Sequence, residues 1–203
     1  MKTAVVSSDP IIRKILNKWI EIHEQSAIEW KTDNMWWYGE PASVSVFSGA
    51  VWKLGGRAIN DFKIIRVDEN QNETHGRCDL YFEMPGSDLE HRCEAKQIWD
   101  FNYESFIEVE KEAKKQIVSF KFNRSNNCQN FSIVFITPKF EIIGQKYDFE
   151  KEFSDFFIRL TNNLVSDELH YAYLLKSFDI NESKYNGKPY YYPGVAVVLK
   201  RIN

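Results

Sequence analysis

Behind Asp9-Pro10, an N-cap residue followed by proline in the first turn, the positions Ile12, Leu16, Trp19 or Ile20, His23 and Ala27 recur at helical spacing. This spacing predicts a helix from about residue 10 to about residue 30. A polar break at Lys31-Thr-Asp-Asn34 and the aromatic run Trp36-Trp37-Tyr38 lead to a second helical stretch, Ala42 to Leu54, which Gly55-Gly56 terminates. Pro41 is tolerated there because it falls in the first turn. Residues 60 to 68, 76 to 84 and 91 to 99 then read as three strands of a meander, with turns at Asp68 to Asn72 and Met84 to Asp88. Helical spacing returns from Tyr103 to Phe122, with Phe106, Val109, Ala113, Ile117 and Phe120 on one stripe and Glu and Lys facing solvent.

After the polar segment Asn123 to Asn127, the nearly continuous apolar run Phe131 to Ile136 predicts a strand covered on both faces, in the middle of a sheet. Phe149 to Leu164 reads as a fourth helix, and Ala172 to Leu175 and Val195 to Leu199 as strands separated by the segment Asn186 to Pro193. No repeat or linker interrupts the pattern, which implies a single domain over residues 1–203.

Composition narrows the function classes. With 43% hydrophobic and 15% aromatic residues the chain can bury a sizeable core. No stretch has the length and apolarity of a membrane span, and the N-terminus runs into charged, helix-forming sequence, so the expectation is a cytoplasmic protein with no membrane partner. Three scattered cysteines do not form a disulfide framework and suit a reducing compartment. The net charge of −3 removes any global basic signature, so a polyanion would have to bind at a local patch.

Candidate chemistry lies in the meander. Strand alternation puts Glu94 and Lys96 on one face and Cys93, Ala95 and Gln97 on the other. If the preceding strand pairs through the Gly86-Ser87-Asp88 connection, Asp79 joins them, and two carboxylates beside a lysine suit a hard divalent metal and a water to be activated. Glu-x-Lys also occurs at Glu29-Lys31, Glu112-Lys114 and Glu182-Lys184, in stretches that read as helix or loop, where residues two apart share no face. Asp61-Lys63 lies in a plausible strand but follows no carboxylate-bearing strand. Only Glu94-Lys96 has the complete context.

The order helix, three-stranded meander, helix, buried strand, with an acid on the second meander strand and Glu-x-Lys on the third, resembles the PD-(D/E)XK nuclease superfamily over about residues 35 to 137. The resemblance implies an α/β, restriction-endonuclease-like fold with a central mixed β-sheet flanked by α-helices. It implies a Mg²⁺- or Mn²⁺-dependent nuclease that hydrolyses phosphodiester bonds, with nucleic acid, DNA in the first place, as partner. Asp79 matches the family's metal-binding aspartate, Glu94 its second carboxylate and Lys96 its lysine; Glu40 matches the carboxylate that many members contribute from the helix before the meander. Gln116 sits on the following helix, where some members place a polar active-site residue, and Gln97 follows the lysine as in some members, although alternation turns it away from Glu94. Cys78 stands where the motif has its proline. The metal would be held by Asp79, Glu94 and the Ala95 carbonyl, with Glu40 holding a second metal or a water, and Lys96 would orient the water or stabilise developing charge.

Other readings of the same residues stand beside this one. Asp79, Glu94 and Lys96 could form an ordinary cross-strand salt bridge, and Glu40 a helix-terminal carboxylate favoured by the macrodipole. His75-x-x-Cys78 with His91-x-Cys93 has the residue types of a zinc site, which alternation opposes. Lys184-Tyr185 and Lys188 to Tyr192 mix cations with stacking rings, as single-strand binders do and as loops and interfaces also do. The main rival function is a catalytically inactive module of the same fold that binds protein or nucleic acid, including as a homodimer through its aromatic surfaces.

Overall fold

The computed structural model describes residues 1–30, 33–67, 70–120, 127–141, 149–163, 168–176, 182–185 and 188–202, with backbone alone at 182–185, 188 and 189. In chain order the elements are β1 (Lys2–Val6), α1 (Pro10–Glu29), a 3-10 turn (Met35–Trp37), α2 (Glu40–Lys53), β2 (Arg57–Val67), β3 (Glu73–Glu83), β4 (Glu90–Ile98), α3 (Tyr103–Val118) and β5 (Cys128–Ile136). There follow β6 (Phe140–Glu141), α4 (Phe149–Asn163), β7 (Leu169–Leu175), β8 (Glu182–Tyr185), β9 (Lys188–Tyr191) and β10 (Gly194–Ile202). Seven strands form a mixed sheet in the order β1-β7-β10-β5-β4-β3-β2, and β6, β9 and β8 form a separate three-stranded sheet. Within the large sheet only β4 and β5 pair in parallel, which requires the crossover that α3 supplies. The protein is therefore mixed α/β.

Local chemistry accounts for the helix ends. The Asp9 carboxylate accepts from the amides of Ile11 at 2.8 Å and Ile12 at 3.0 Å, satisfying donors that the first turn leaves unpaired. Gly55, with φ of +80°, supplies the left-handed residue that ends α2. The sheet's two faces carry separate cores. Ile12, Leu16 and Trp19 of α1 and Phe47 of α2 pack with Phe131, Ile133 and Phe135 of β5, whereas Val134 and Ile136 pack with Phe106 of α3 and Phe156 and Leu160 of α4. Both faces of β5 are thus covered, as its apolar run predicts. A third, small cluster joins Ile64, Cys78, Ile117, Phe120 and Ile202.

Several expectations are corrected. The N-terminal strand β1, paired with β7, and the strands β6, β8 and β9 are not anticipated by the hydrophobic pattern. The Glu182-x-Lys184 copy lies in a strand, β8, rather than in a polar loop. Helix α3 ends at Val118; residues 121–126, where the pattern extends it and places the next loop, lie outside the described residues, as do 68 and 69 of the first meander turn. The side chains of Lys184, Tyr185 and Lys188, and the segment 186–187, lie outside the described residues as well. On α3 Val109 packs partly buried against the core as expected, and the buried stripe also takes in Glu110: it is 4% exposed and lies 3.4 Å from Lys200 Nζ, with Ser132 Oγ donating to it at 3.5 Å. A charged partner from β10 makes that burial tolerable.

The alternation along β3 also breaks. Leu80 and Phe82 face α1 and α2, but Cys78 joins the cluster with Ile117 and Phe120 of the α3 side. The change falls at Asp79, opposite Asp61, whose φ of 53° interrupts regular pairing between Asn60↔Leu80 and Phe62↔Cys78.

His23 is fully buried between the rings of Trp19 and Trp36, and burial lowers its pKa to about 3. Above pH 6.5 the ring is neutral in both states; as pH falls below 6.5 the unfolded chain binds a proton that the folded chain refuses, so stability is lost. Between pH 6.5 and 5 one such group removes about 2 kcal/mol. Urea unfolding at pH 7 and pH 5 is expected to show this acid loss in the native chain and a loss smaller by about that amount in His23→Leu. Equal losses would show that His23 is not the titrating group.

Candidate active site

The site is built where β3 separates from β4. Their antiparallel ladder runs from Glu83↔Glu90 to Leu80↔Cys93 and stops, leaving Asp79 and Glu94 facing the opening of the fork. Beyond that point Asp79 replaces the ladder: its Oδ2 accepts from the Ala95 amide at 2.7 Å. On its other side β4 stays paired, with Glu94 beside Ser132 of β5. Glu94 is therefore held rigidly on a strand paired along one edge, and Asp79 is fixed by its own hydrogen bond.

Glu94 is 2% exposed. Lys96 Nζ lies 3.8 Å from its Oε1, and the same ammonium donates to Gln116 Oε1 at 3.3 Å, so α3 reaches into the site through Gln116. Gln116 in turn donates to Glu112 Oε1 at 3.3 Å. Glu94 Oε2 is buried without a hydrogen-bond partner among the described residues. Burial, reinforced by the Asp79 carboxylate, pushes the Glu94 carboxyl up to about 7, against the opposing pull of Arg66 and Lys96. Burial also raises Asp79, with the Ala95 amide and the Lys96 and Arg66 charges acting the other way. A buried carboxylate whose ionisation a second carboxylate makes costlier still marks a site short of positive charge.

Glu40, at the start of α2, lies in the field of this cluster. Its carboxyl is raised first by burial and then by Asp79 and Glu112, and lowered by Lys96. The structure thus brings together Asp79, Glu94, Lys96, Gln116 and, electrostatically, Glu40. It does not bring in Gln97, whose amide donates to the Tyr38 carbonyl at 3.2 Å and to Thr137 Oγ1 at 3.3 Å, with Ser43 Oγ donating to its Oε1 at 3.4 Å. That position follows from the alternation of β4. Trp36 is buried in the core, while Tyr38 is half exposed beside Gln97.

Two residues enter that sequence reasoning did not select. Arg66 of β2 reaches across β3, its Nη2 donating to the Arg77 carbonyl at 2.6 Å and lying 3.5 Å from Glu94 Oε1. Glu112 belongs to a Glu-x-Lys copy set aside as helical; the helix separates it from Lys114 as expected, yet orients it toward Gln116. No spacing rule could signal either one, because each reaches the site through tertiary packing from an element other than the meander's last two strands.

The donor set suits a hard cation. All candidate ligands are oxygens, one of them a buried carboxylate oxygen with no partner among the described residues. Among the described residues no three carboxylate, imidazole or thiolate side chains converge as a metal-binding group, so a cation here would complete its shell with waters or substrate oxygens. The residues of the zinc reading are employed otherwise. His91 stacks on Phe82 with ring centroids 4.4 Å apart, His75 is exposed, and burial pushes the Cys78 thiol up to about 12.

Carboxyl ¹³C NMR on selectively labelled protein is expected to find Glu94 titrating near pH 7 and to find that midpoint lowered in Asp79→Asn, which removes a neighbouring negative charge. Asp79→Ala is expected to cost about 1–2 kcal/mol of stability by leaving the Ala95 amide unpaired, and Asp79→Asn to recover most of it, as read by urea unfolding. In comparisons with known proteins, no family model, curated protein or solved structure matches the chain.

Proposed function

We propose that the protein is a metal-dependent nuclease of the PD-(D/E)XK superfamily, with a restriction-endonuclease-like fold, hydrolysing phosphodiester bonds of nucleic acid and of DNA first among them. The observation that carries the reading is the buried oxygen of Glu94 that has no hydrogen-bond partner among the described residues, beside Asp79 and on the same strand face as Lys96. The order of α2, the β2-β3-β4 meander, α3 and the central strand β5 is the framework in which the resemblance expects such a cluster.

In this reading Asp79, Glu94 and the Ala95 carbonyl would hold Mg²⁺ or Mn²⁺, with Glu40 available to a second ion or to a water. When bound, the cation supplies Lewis acidity, lowering the pKa of a water and offsetting negative charge on the phosphoryl group. Lys96 keeps a fixed positive charge at the carboxylates and donates hydrogen bonds to the attacking water or to the oxygens on which charge develops. Gln116 holds the Lys96 ammonium in place from α3. The Asp79 bond to the Ala95 amide sets the position of its carboxylate before any substrate arrives, so little reorganisation is left for the chemical step.

One observation favours the rival, a non-catalytic binding module: Arg66 already supplies Glu94 with a cation. The two separate in a direct assay on plasmid, linear and single-stranded DNA and on RNA, with Mg²⁺ or Mn²⁺. Cleavage is expected in the native chain and is expected to fall about 10²–10³-fold in Lys96→Ala and in Asp79→Asn. No cleavage across that panel, or cleavage unchanged by both substitutions, would leave the binding module as the better reading.

A further inference from the structure

Arg66 occupies an unusual position. It stands on β2, two strands away from Glu94, and it reaches the carboxylate by lying across β3 at Gly76. A Cβ at residue 76 would sit 2.4 Å from Arg66 Nε, 2.6 Å from its Cδ and 2.8 Å from its Cγ, so only glycine leaves room for this path. The guanidinium is held at three points: by the Arg77 carbonyl, by Glu94, and by the Phe120 ring, whose centroid lies 5.3 Å from Cζ. The anchorage is incomplete. The Glu94 contact is long at 3.5 Å, Nε is buried without a hydrogen-bond partner among the described residues, and a quarter of the side chain is exposed. Arg66 lines an open groove between the β2-β3 hairpin and the C-terminal half of α3, where Lys111, Lys114 and Lys115 outnumber the carboxylates of Glu73 and Glu112.

A guanidinium and a divalent cation both draw on the same carboxylate charge, and each raises the cost of bringing in the other. A guanidinium also binds a phosphate through its planar fork as well as it binds a carboxylate. We propose that Arg66 is an internal counter-ion that holds the Asp79–Glu94 site closed to metal until a phosphodiester in the adjoining groove draws it away. Metal and nucleic acid then bind with positive coupling, and each tightens the other by the same factor. The inference rests on the metal-site reading of Asp79 and Glu94 and adds to it a dependence of metal affinity on the nucleic acid.

The test measures Mn²⁺ affinity by electron paramagnetic resonance, alone and with a nuclease-resistant phosphorothioate DNA duplex. The native chain is compared with Arg66→Met, Gly76→Ala and Glu94→Gln, with circular dichroism confirming that each is folded. Gly76→Ala displaces Arg66 without removing its charge, which covers the case of a misfolded Arg66→Met. Without DNA, both gate variants are expected to bind Mn²⁺ about tenfold tighter than the native chain, and DNA is expected to tighten the native chain by about tenfold and the gate variants by much less. Equal Mn²⁺ affinity in the native chain and both gate variants, with binding lost in Glu94→Gln, would overturn the gate and leave the metal site standing. Mn²⁺ binding that Glu94→Gln does not change in any background would remove the metal site and the gate together.

Discussion

The hydrogen bond from the Ala95 amide to Asp79 is the constraint on which the candidate site depends. A strand that leaves its neighbour exposes an amide that must find an acceptor, and here the acceptor is a carboxylate rather than water or another strand. Because the bond ties a charged side chain to the backbone beside Glu94, it brings two carboxylates together at a place where neither is easily ionised. The interruption at Asp61 and the transfer of Cys78 to the α3-side cluster belong to the same event, since β3 must twist away as a unit with β2.

Much of this architecture is legible in the chain. The apolar run Phe131 to Ile136 identifies the central strand because both its faces are covered, and the Asp9 cap and Gly55 stop delimit helices through local chemistry. Glu94, Lys96 and Gln97 fall on the faces that alternation requires because β4 stays paired to β5 throughout. Legibility fails where the determinant is not local. Strict alternation would put Cys78 with Leu80 and Phe82, but it presumes an unbroken ladder, and the ladder stops at Leu80, two residues short of Cys78. The burial of Glu110 beside Val109 is not legible because its partner, Lys200, is distant in sequence. Arg66 gives no sign of its position because the room it needs is made by the absence of a side chain at Gly76 on another strand.

Charge is apportioned in a way that the net value of −3 conceals. Asp79, Glu94, Glu40 and Glu112 are set against Lys96 and Arg66, and only the Lys96 charge is tied to the site from both β4 and α3. The groove beside this cluster carries Lys111, Lys114 and Lys115 of α3 together with Glu73 and Glu112. A net charge near zero can therefore hide local excesses of either sign on a scale shorter than the screening length.

The place of β10 has a consequence for the order in which the molecule can form. It is the last strand of the large sheet along the chain, yet it lies between β7 and β5, and through it alone β1 and β7 join the strands that carry the site. Its Lys200 also neutralises Glu110 on the helix that brings Gln116 to Lys96. During synthesis, then, the meander, α3 and β5 emerge before the strand that covers the far edge of β5 and before the charge that settles the helix. The Asp79–Glu94 cluster therefore rests on β3, β4 and α3 directly, while the charge that settles α3 and the link to β1 and β7 come from residues 194–202, far along the chain.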